Sequence, residues 1–336
     1  MSVKRIWLAA SLAALTLAAC GKKVEAADAK ATASATAPAA APAAGAAAEA
    51  SATVKVNEGE PVDGDVTLTV PATAGAGAEI ELRFTGPANS KDYIDLVPRG
   101  FTQTSGELGY VYIPAAAKGE KLRVPTAPGD YDVRYVLDLK GVRKVKAIQP
   151  LSITAATATL KLPASVTSAE PLSVEWTGPA GKGDYIDVVP KEYAATSGEI
   201  AYAYTSGGNP AKFSAPGAAG DYQVRYVLEG PGGRKVLASV PLNVAPAAAK
   251  LTAPDTADKG KVLVVEYEGP KRAGDYVDLV KKGYIATSGE LSYFYADGKA
   301  ANELKMPAEA GDYDIRYVME APGGRVVLAK RAIHVK

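Results

Sequence analysis

The side chains able to do chemistry in this chain are few in kind and regular in placement. One histidine, His334, and one cysteine, Cys20, serve 336 residues. A Ser-His-Asp or Cys-His nucleophile would therefore rest on single residues far apart in the sequence, and the clustered Cys and His that zinc requires do not occur. Carboxylates do recur. Asp92, Asp95, Glu107 and Asp130 have counterparts in Asp184, Asp187, Glu199 and Asp221, and again in Asp275, Asp278, Glu290 and Asp312. General acid–base work needs two facing carboxylates whose pKa values are pushed apart. Asp92 and Asp95 are oddly spaced on one extended run, so they face opposite sides. The expectation is structural. The Asp130 set serves turns, while Arg134, Arg225 and Arg316 point outward and form ion pairs, with Asp92, Asp184 and Asp275 as their candidate partners. A calcium site between loops is the second reading. It would need six to eight oxygen ligands, and no DxDxDG-like loop is present. No residue is assigned a catalytic or metal role, no cofactor is expected, and the chain reads as a non-enzyme.

Aromatic residues are the better binding candidates. Phe101, Tyr193 and Tyr284 stand just before a recurring Thr-Ser-Gly-Glu and are the candidate ligand contacts, suited to a sugar ring or a partner strand. Tyr110 and Tyr112, Tyr202 and Tyr204, and Tyr293 and Tyr295 lie two apart, so each pair shares one face of a strand. These pairs are expected to fill the core, leaving the loop aromatics the more exposed.

The elements that must position these residues come in triplicate. Pro71, Pro163 and Pro254 open matching segments with a period of about 91 residues. Each runs through FTGP, WTGP or YEGP, then KDYIDLVP, GDYIDVVP or GDYVDLVK, then TSGEL or TSGEI, then GDYDVRYVL, GDYQVRYVL or GDYDIRYVM. Within each copy, short runs rich in Val, Tyr, Leu and Thr alternate with Gly, Pro and Ser clusters, and no helical stripe is sustained. Seven such runs in about 90 residues predict an antiparallel β-sandwich. In the run from Tyr222 to Leu228, the set Tyr222, Val224, Tyr226 and Leu228 is expected to face the core. Phe84, Trp176 and Tyr267 are expected to plug it.

The fold class is therefore all-β, with three tandem immunoglobulin-like sandwiches at residues 62–154, 155–245 and 246–336. A Tyr opening a strand after a Pro- and Gly-rich turn resembles the tyrosine corner of immunoglobulin-like and fibronectin type III-like domains. That resemblance implies the corner role for Tyr131, Tyr222 and Tyr313. The combination of W-x-GP, DYIDLVP and GDYxVRYVL is similar to the modules appended to bacterial von Willebrand A-type envelope proteins, and more faintly to sandwich modules attached to some phosphatases. Neither a von Willebrand A domain nor a phosphatase domain accompanies the modules here. What the resemblance implies is a fold, an envelope location and an envelope protein partner, for which a von Willebrand A-type protein is a candidate.

The N-terminus carries a different signal. Lys4 and Arg5 precede an apolar stretch from Ile6 to Leu17, shorter than the ~20 residues a spanning helix needs and proportioned like a secretory signal over residues 1–19. The run Leu17-Ala18-Ala19-Cys20 resembles the lipobox of bacterial lipoproteins. By that resemblance Cys20 is lipidated and the chain is held in membrane lipid. Two acyl chains are needed for firm anchoring. Gly21 and Lys22 follow, with no Asp in the position that retains family members in the inner membrane, which implies the outer membrane, facing periplasm or cell surface. Residues 20–61, rich in Ala, Pro, Thr and Ser, lack the apolar surface to offset ordering entropy and are read as a disordered linker, with a typical reach of roughly 35 Å. The whole chain carries a formal net charge of +1, and by count the modules carry about 0, −1 and +1. None has the basic field that draws nucleic acid. The function expected is a non-enzymatic envelope lipoprotein, a scaffold, spacer or adhesion protein that binds a protein partner through repeated sandwich faces. The alternative is a glycan- or peptidoglycan-binding lipoprotein using the loop aromatics.

Overall fold

The computed structural model describes residues 54–299 and 301–336. The signal segment, Cys20 and the linker up to residue 53 lie outside the described residues. The regular structure of the rest is almost all strand, with two single-turn helices among the described residues, and the same arrangement appears three times.

The middle copy shows it most completely. A five-stranded sheet runs in the order Ser165–Thr167, Lys235–Ala245, Gly220–Leu228, Tyr185–Pro190, Ala201–Tyr204, and a three-stranded sheet of Thr159–Lys161, Pro171–Thr177 and Ala211–Ser214 belongs to the same module. The first and third copies have the same five-stranded order, and in each the smaller sheet appears as two strand pairs. Leu172 and Val174 from the small sheet meet Ile186, Val188, Tyr222, Val224, Tyr226, Leu242 and Val244 from the large one. Each is an alternating residue on its strand, so one face of each sheet turns inward. Removing such a side chain from water contributes roughly 1.5–3 kcal/mol.

One pairing departs from the expected antiparallel sandwich. Thr73–Gly75, Ser165–Thr167 and Thr256–Ala257 each pair in parallel with the last strand of their module. The prolines at 71, 163 and 254 account for it. Proline cannot donate to a ladder, so the first strand ends there and the chain crosses to the other sheet, where it runs alongside the last strand in the same direction.

Residues 54–61, which composition placed in the linker, pack on the first module instead. Asn57 N–H donates to Ala88 O at 2.8 Å and Ser90 N–H donates back to Asn57 O at 3.1 Å, while the buried Asn89 accepts from Asn57 Nδ2 at 2.8 Å and from Val62 N–H at 3.0 Å. This segment is held largely by backbone and amide hydrogen bonds, with Val54 alone of its residues packing against the core, so a reading built on hydrophobicity passes over it.

All three copies lie in one compact unit, and successive modules touch. Leu228 at the end of its strand belongs to the buried cluster of the first module, and Thr126 N–H donates to Pro231 O at 3.2 Å. The next junction repeats the bond, with Gly217 N–H donating to Pro322 O at 3.0 Å.

Candidate functional site

The recurring polar residues sort onto the two faces of the five-stranded sheet. Inside the sandwich, Asp184 stands just ahead of the strand Tyr185–Pro190 and is fully buried. Its carboxylate accepts from Tyr226 Oη at 3.0 Å, from Gly181 N–H at 2.9 Å and from Glu229 N–H at 3.1 Å. Asp92 does the same with Tyr135, Asn89 and Asp138, and Asp275 with Tyr317, Arg272 and Glu320. These aspartates tie two loops to a core tyrosine. They are not the partners of Arg134, Arg225 and Arg316.

Those arginines do not point outward either. Arg134, Arg225 and Arg316 are at most 2% exposed, and each makes a two-pronged pair with the aspartate directly across the strand pair: Asp95, Asp187 and Asp278. In the middle copy Arg225 Nε donates to Asp187 Oδ1 at 3.0 Å and Nη2 to Oδ2 at 2.6 Å. The reason is a second cover. After Pro98, Pro190 and Lys281 the chain folds back over the outer face of the sheet, and Arg225 Nη1 holds it there by donating to Ala195 O at 2.7 Å. Arg134 binds Phe101 O and Gln103 O in the same way, and Arg316 binds Tyr284 O and Ala286 O. The alternation rule identified the inward face for Tyr222, Val224 and Tyr226, but the two adjacent strands Tyr185–Pro190 and Gly220–Leu228 are buried on both sides. Burial drives each Asp carboxyl upward against the pull of its arginine, and the carboxylate in turn raises the arginine.

The loop aromatics are part of this cover. Phe101, Tyr193 and Tyr284 lie over the guanidinium groups of Arg134, Arg225 and Arg316 at 5.8, 6.0 and 5.8 Å. Tyr193 and Tyr284 also lean on Gly198 and Gly289, where an added Cβ would collide with the tyrosine hydroxyl oxygen. These rings cap the ion pairs and are less exposed than the tyrosine pairs.

The tyrosine pairs, expected in the core, are the most exposed aromatics among the described residues, ahead of Tyr284 at 39%. Tyr110, Tyr112, Tyr202, Tyr204, Tyr293 and Tyr295 are between 46% and 50% exposed. They stand on the outward face of the sheet's edge strand, while Val111, Ala203 and Phe294 between them turn inward. The parity was legible, and the side was not, because the strand is too short and its inward residues too varied to mark the core. In each copy the two rings meet edge to face, with centroids 5.3, 5.3 and 5.6 Å apart. A third ring, Tyr93, Tyr185 or Tyr276, backs them. Burial pushes the Tyr185 hydroxyl up to about 12, and it donates to Thr196 O at 2.7 Å.

Two charged residues complete each surface. Arg143, Arg234 and Arg325 lie 5.4–5.5 Å over the backing tyrosine, and each pairs with an acid on its own hairpin: Asp138 at 3.6 Å, Glu229 at 2.6 Å and Glu320 at 2.8 Å. The Glu of Thr-Ser-Gly-Glu is half-buried, and one oxygen of Glu107, Glu199 and Glu290 is shielded from solvent with no hydrogen-bond partner among the described residues. Sequence reasoning grouped these glutamates with the other carboxylates and missed that they stay unpaired.

The remaining assigned residues have plain surroundings. Tyr131, Tyr222 and Tyr313 donate to the carbonyl four residues upstream, Ala127, Ala218 and Glu309, at 3.0, 2.8 and 3.1 Å, the geometry of a tyrosine corner. His334 is exposed, with Nδ1 2.8 Å from Asp312 Oδ1. Among the described residues no three of His, Cys, Asp or Glu converge to hold a metal ion.

No protein-family model matches the chain, and no curated protein matches it. Solved structures do align with it over most of its length. Extracellular domains 3–5 of Drosophila OTK share 10% identity over 84% of this chain and 98% of that one, with a TM-score of 0.25. The chicken CNTN1 FN1–FN3 domains share 11% over 80% and 98%, at 0.22. The Bacteroides ovatus SGBP-B of a mixed-linkage glucan utilization locus, in complex with a mixed-linkage heptasaccharide, shares 12% over 82% and 69%, at 0.17. The fold assignment rests on the sheet order described above.

Proposed function

We propose that this chain is a non-enzymatic binding protein of the bacterial envelope, held to the outer membrane through lipid on Cys20 and engaging a protein partner through three copies of one tyrosine surface. One observation carries the reading. Across the three copies the outward positions of the edge strand are all tyrosine, while the inward position between them changes from Val111 to Ala203 to Phe294. Packing normally constrains the inward residue and frees the outward one. Here the order is reversed, which marks the outward face as the part under constraint.

Exposed tyrosine beside arginine is the composition of protein-binding hot spots. Three copies on one chain let weak contacts sum through effective concentration. Cys20 and the linker, outside the described residues, supply the anchor and the reach. The sequence resemblance makes a von Willebrand A-type envelope protein the first partner to look for.

The test is crosslinked capture from the protein's own membranes, comparing the wild-type chain with a variant in which all six outward tyrosines are serine. The reading expects a partner on the wild type that is lost from a variant melting at an unchanged temperature. A partner recovered equally by both would refute it. A second reading, glycan binding, gains from the same exposed rings, whereas the rings of Phe101 and Tyr193 are partly buried over arginines and Tyr284 keeps 39% of its surface. Retention on polysaccharide columns that depends on Tyr202 and Tyr204 would favour it.

A further inference from the structure

Resting on the reading just given, we infer that each tyrosine surface receives a cationic side chain, lysine or arginine, of the protein partner, with Glu107, Glu199 and Glu290 as the counter-ions.

Charge accounting at the surface leads there. At the tyrosine surface of the middle module Arg225 is paired with Asp187 and Arg234 with Glu229, so the two arginines there face three carboxylates. Glu199 is the one of the three that forms no ion pair among the described residues, although both arginines act on it from a distance. The third module repeats this with Arg316 and Asp278, Arg325 and Glu320, and Glu290 left over. The first repeats it again with Arg134 and Asp95, Arg143 and Asp138, and Glu107 left over. Each surface thus carries one uncompensated negative charge.

The orphaned oxygen is the second observation. A shielded carboxylate oxygen without a donor is costly, and native structures contain few of them. The same atom, Oε2, is orphaned at the same position of all three copies, so an accident of one loop is not the explanation. Glu199 stands two residues before the strand Ala201–Tyr204, with the following Ile200 N–H tied to Val188 O at 3.0 Å. It acts electrostatically on Tyr185 and Tyr202, so carboxylate and rings belong to one surface. A carboxylate that lacks a donor, beside exposed tyrosine faces whose quadrupoles attract cations, is complementary to an ammonium or guanidinium group. An anionic ligand would be repelled, and a neutral sugar would leave the charge unmatched. The chain's net charge of +1 gives no general attraction for cations, so any preference for them is local.

The test uses the full chain in detergent and three probes: a peptide of alternating lysine and glycine, the same peptide with every lysine acetylated, and a neutral glucose hexasaccharide. Acetylation removes charge and keeps the chain length. The lysine peptide is expected to bind at least tenfold more tightly than its acetylated form. That preference is expected to be lost in the variant Glu107→Gln, Glu199→Gln, Glu290→Gln, whose melting should be unchanged or raised. The comparison of the two peptides on the wild type needs no variant, so it stands whatever the glutamine chain does.

Equal binding of the two peptides, undetectable binding of the lysine peptide, or an undiminished preference in the glutamine variant would each overturn the inference. In the last case the unpaired oxygens are met by water alone. None of these results touches the tyrosine surface itself. That reading fails only when the six-tyrosine variant still captures the partner. Binding of the hexasaccharide in preference to the lysine peptide would overturn the cation and favour the glycan reading.

Discussion

Removing Asp187 should unfold the middle module at a much lower temperature than removing an exposed acid from the same module. Asp187 is fully buried and Arg225 is 2% exposed. Replacing Asp187 with alanine would strand a guanidinium whose Nε and Nη2 lose their only acceptors, at 3.0 and 2.6 Å. Breaking a buried pair by deleting one partner costs about 3–5 kcal/mol, mostly from the charge left behind. In a domain of this size each kcal/mol shifts the midpoint by about 4–8 °C, so a fall of at least about 12 °C is expected. Glu175 is the control. It meets Lys161 at 2.9 Å, but the two side chains are 62% and 80% exposed, and such pairs contribute about 0–1 kcal/mol. Trp176 is the one tryptophan within the three modules and packs 5.9 Å from Tyr226, so its fluorescence follows the middle module during a melt. The double variant Asp187→Leu, Arg225→Met removes both charges and should recover much of the loss. Full recovery is not expected, because Arg225 also binds Ala195 O at 2.7 Å, and the segment from Lys191 to Glu199 should become open to proteolysis. A loss below about 1 kcal/mol for Asp187→Ala would refute the placement of the pair in a dry interior.

Three further outcomes can be checked on the same protein. Gly178→Ala should destabilise by about 1–3 kcal/mol, since its Cβ would lie 2.6 Å from Tyr226 Cε2 and that ring is fixed through Asp184; a neutral result in a Trp176-monitored melt would contradict the contact. Burial, reinforced by Asp184 and Asp275, raises the hydroxyls of Tyr226 and Tyr317 well above the ordinary tyrosine value. Stability from these groups is complete below about pH 10 and falls as pH rises beyond it. Absorbance titration should therefore show the exposed tyrosines ionising first and these only on unfolding. Lys146 and Lys144 pull the Asp63 carboxyl down to about 2, so its contribution is present above the ordinary carboxylate value and is lost as pH falls from about 4 toward 2. The acid limb of the first module should flatten in Asp63→Asn and in high salt, because the group is exposed.

How much of this was legible in the sequence depended on what each residue packs against. The period of about 91 residues, the strands and the inward set Tyr222, Val224 and Tyr226 could be read from spacing and alternation, and the resemblance to tyrosine-corner domains pointed to Tyr131, Tyr222 and Tyr313. Leu228, read into the same set, lies past a register shift after Tyr226 and packs in the core of the first module instead. Arg225 could not. An arginine alternating with core residues reads as outward, and only the fold-back of the segment after Pro190 makes that face an interior as well. The same fold-back draws Tyr193 onto the arginine, which turned the expected contact residue into a cap. Tyr202 and Tyr204 were read onto one face without a way to tell which, since four residues of an edge strand flanked by alanines carry no hydrophobic bias. Residues 54–61 were misplaced for a related reason: Asn57 binds through amide and backbone groups that composition does not register.

The most direct measurement of the central claim removes the tyrosine surfaces one at a time. Chains with Tyr110 and Tyr112, then also Tyr202 and Tyr204, then also Tyr293 and Tyr295 changed to serine would be crosslinked in their own membranes and the partner bound to each quantified. The account predicts that the captured partner falls stepwise with each surface removed while Trp176 fluorescence shows the middle module still folded. The same amount of partner on the chain lacking all three surfaces would contradict it.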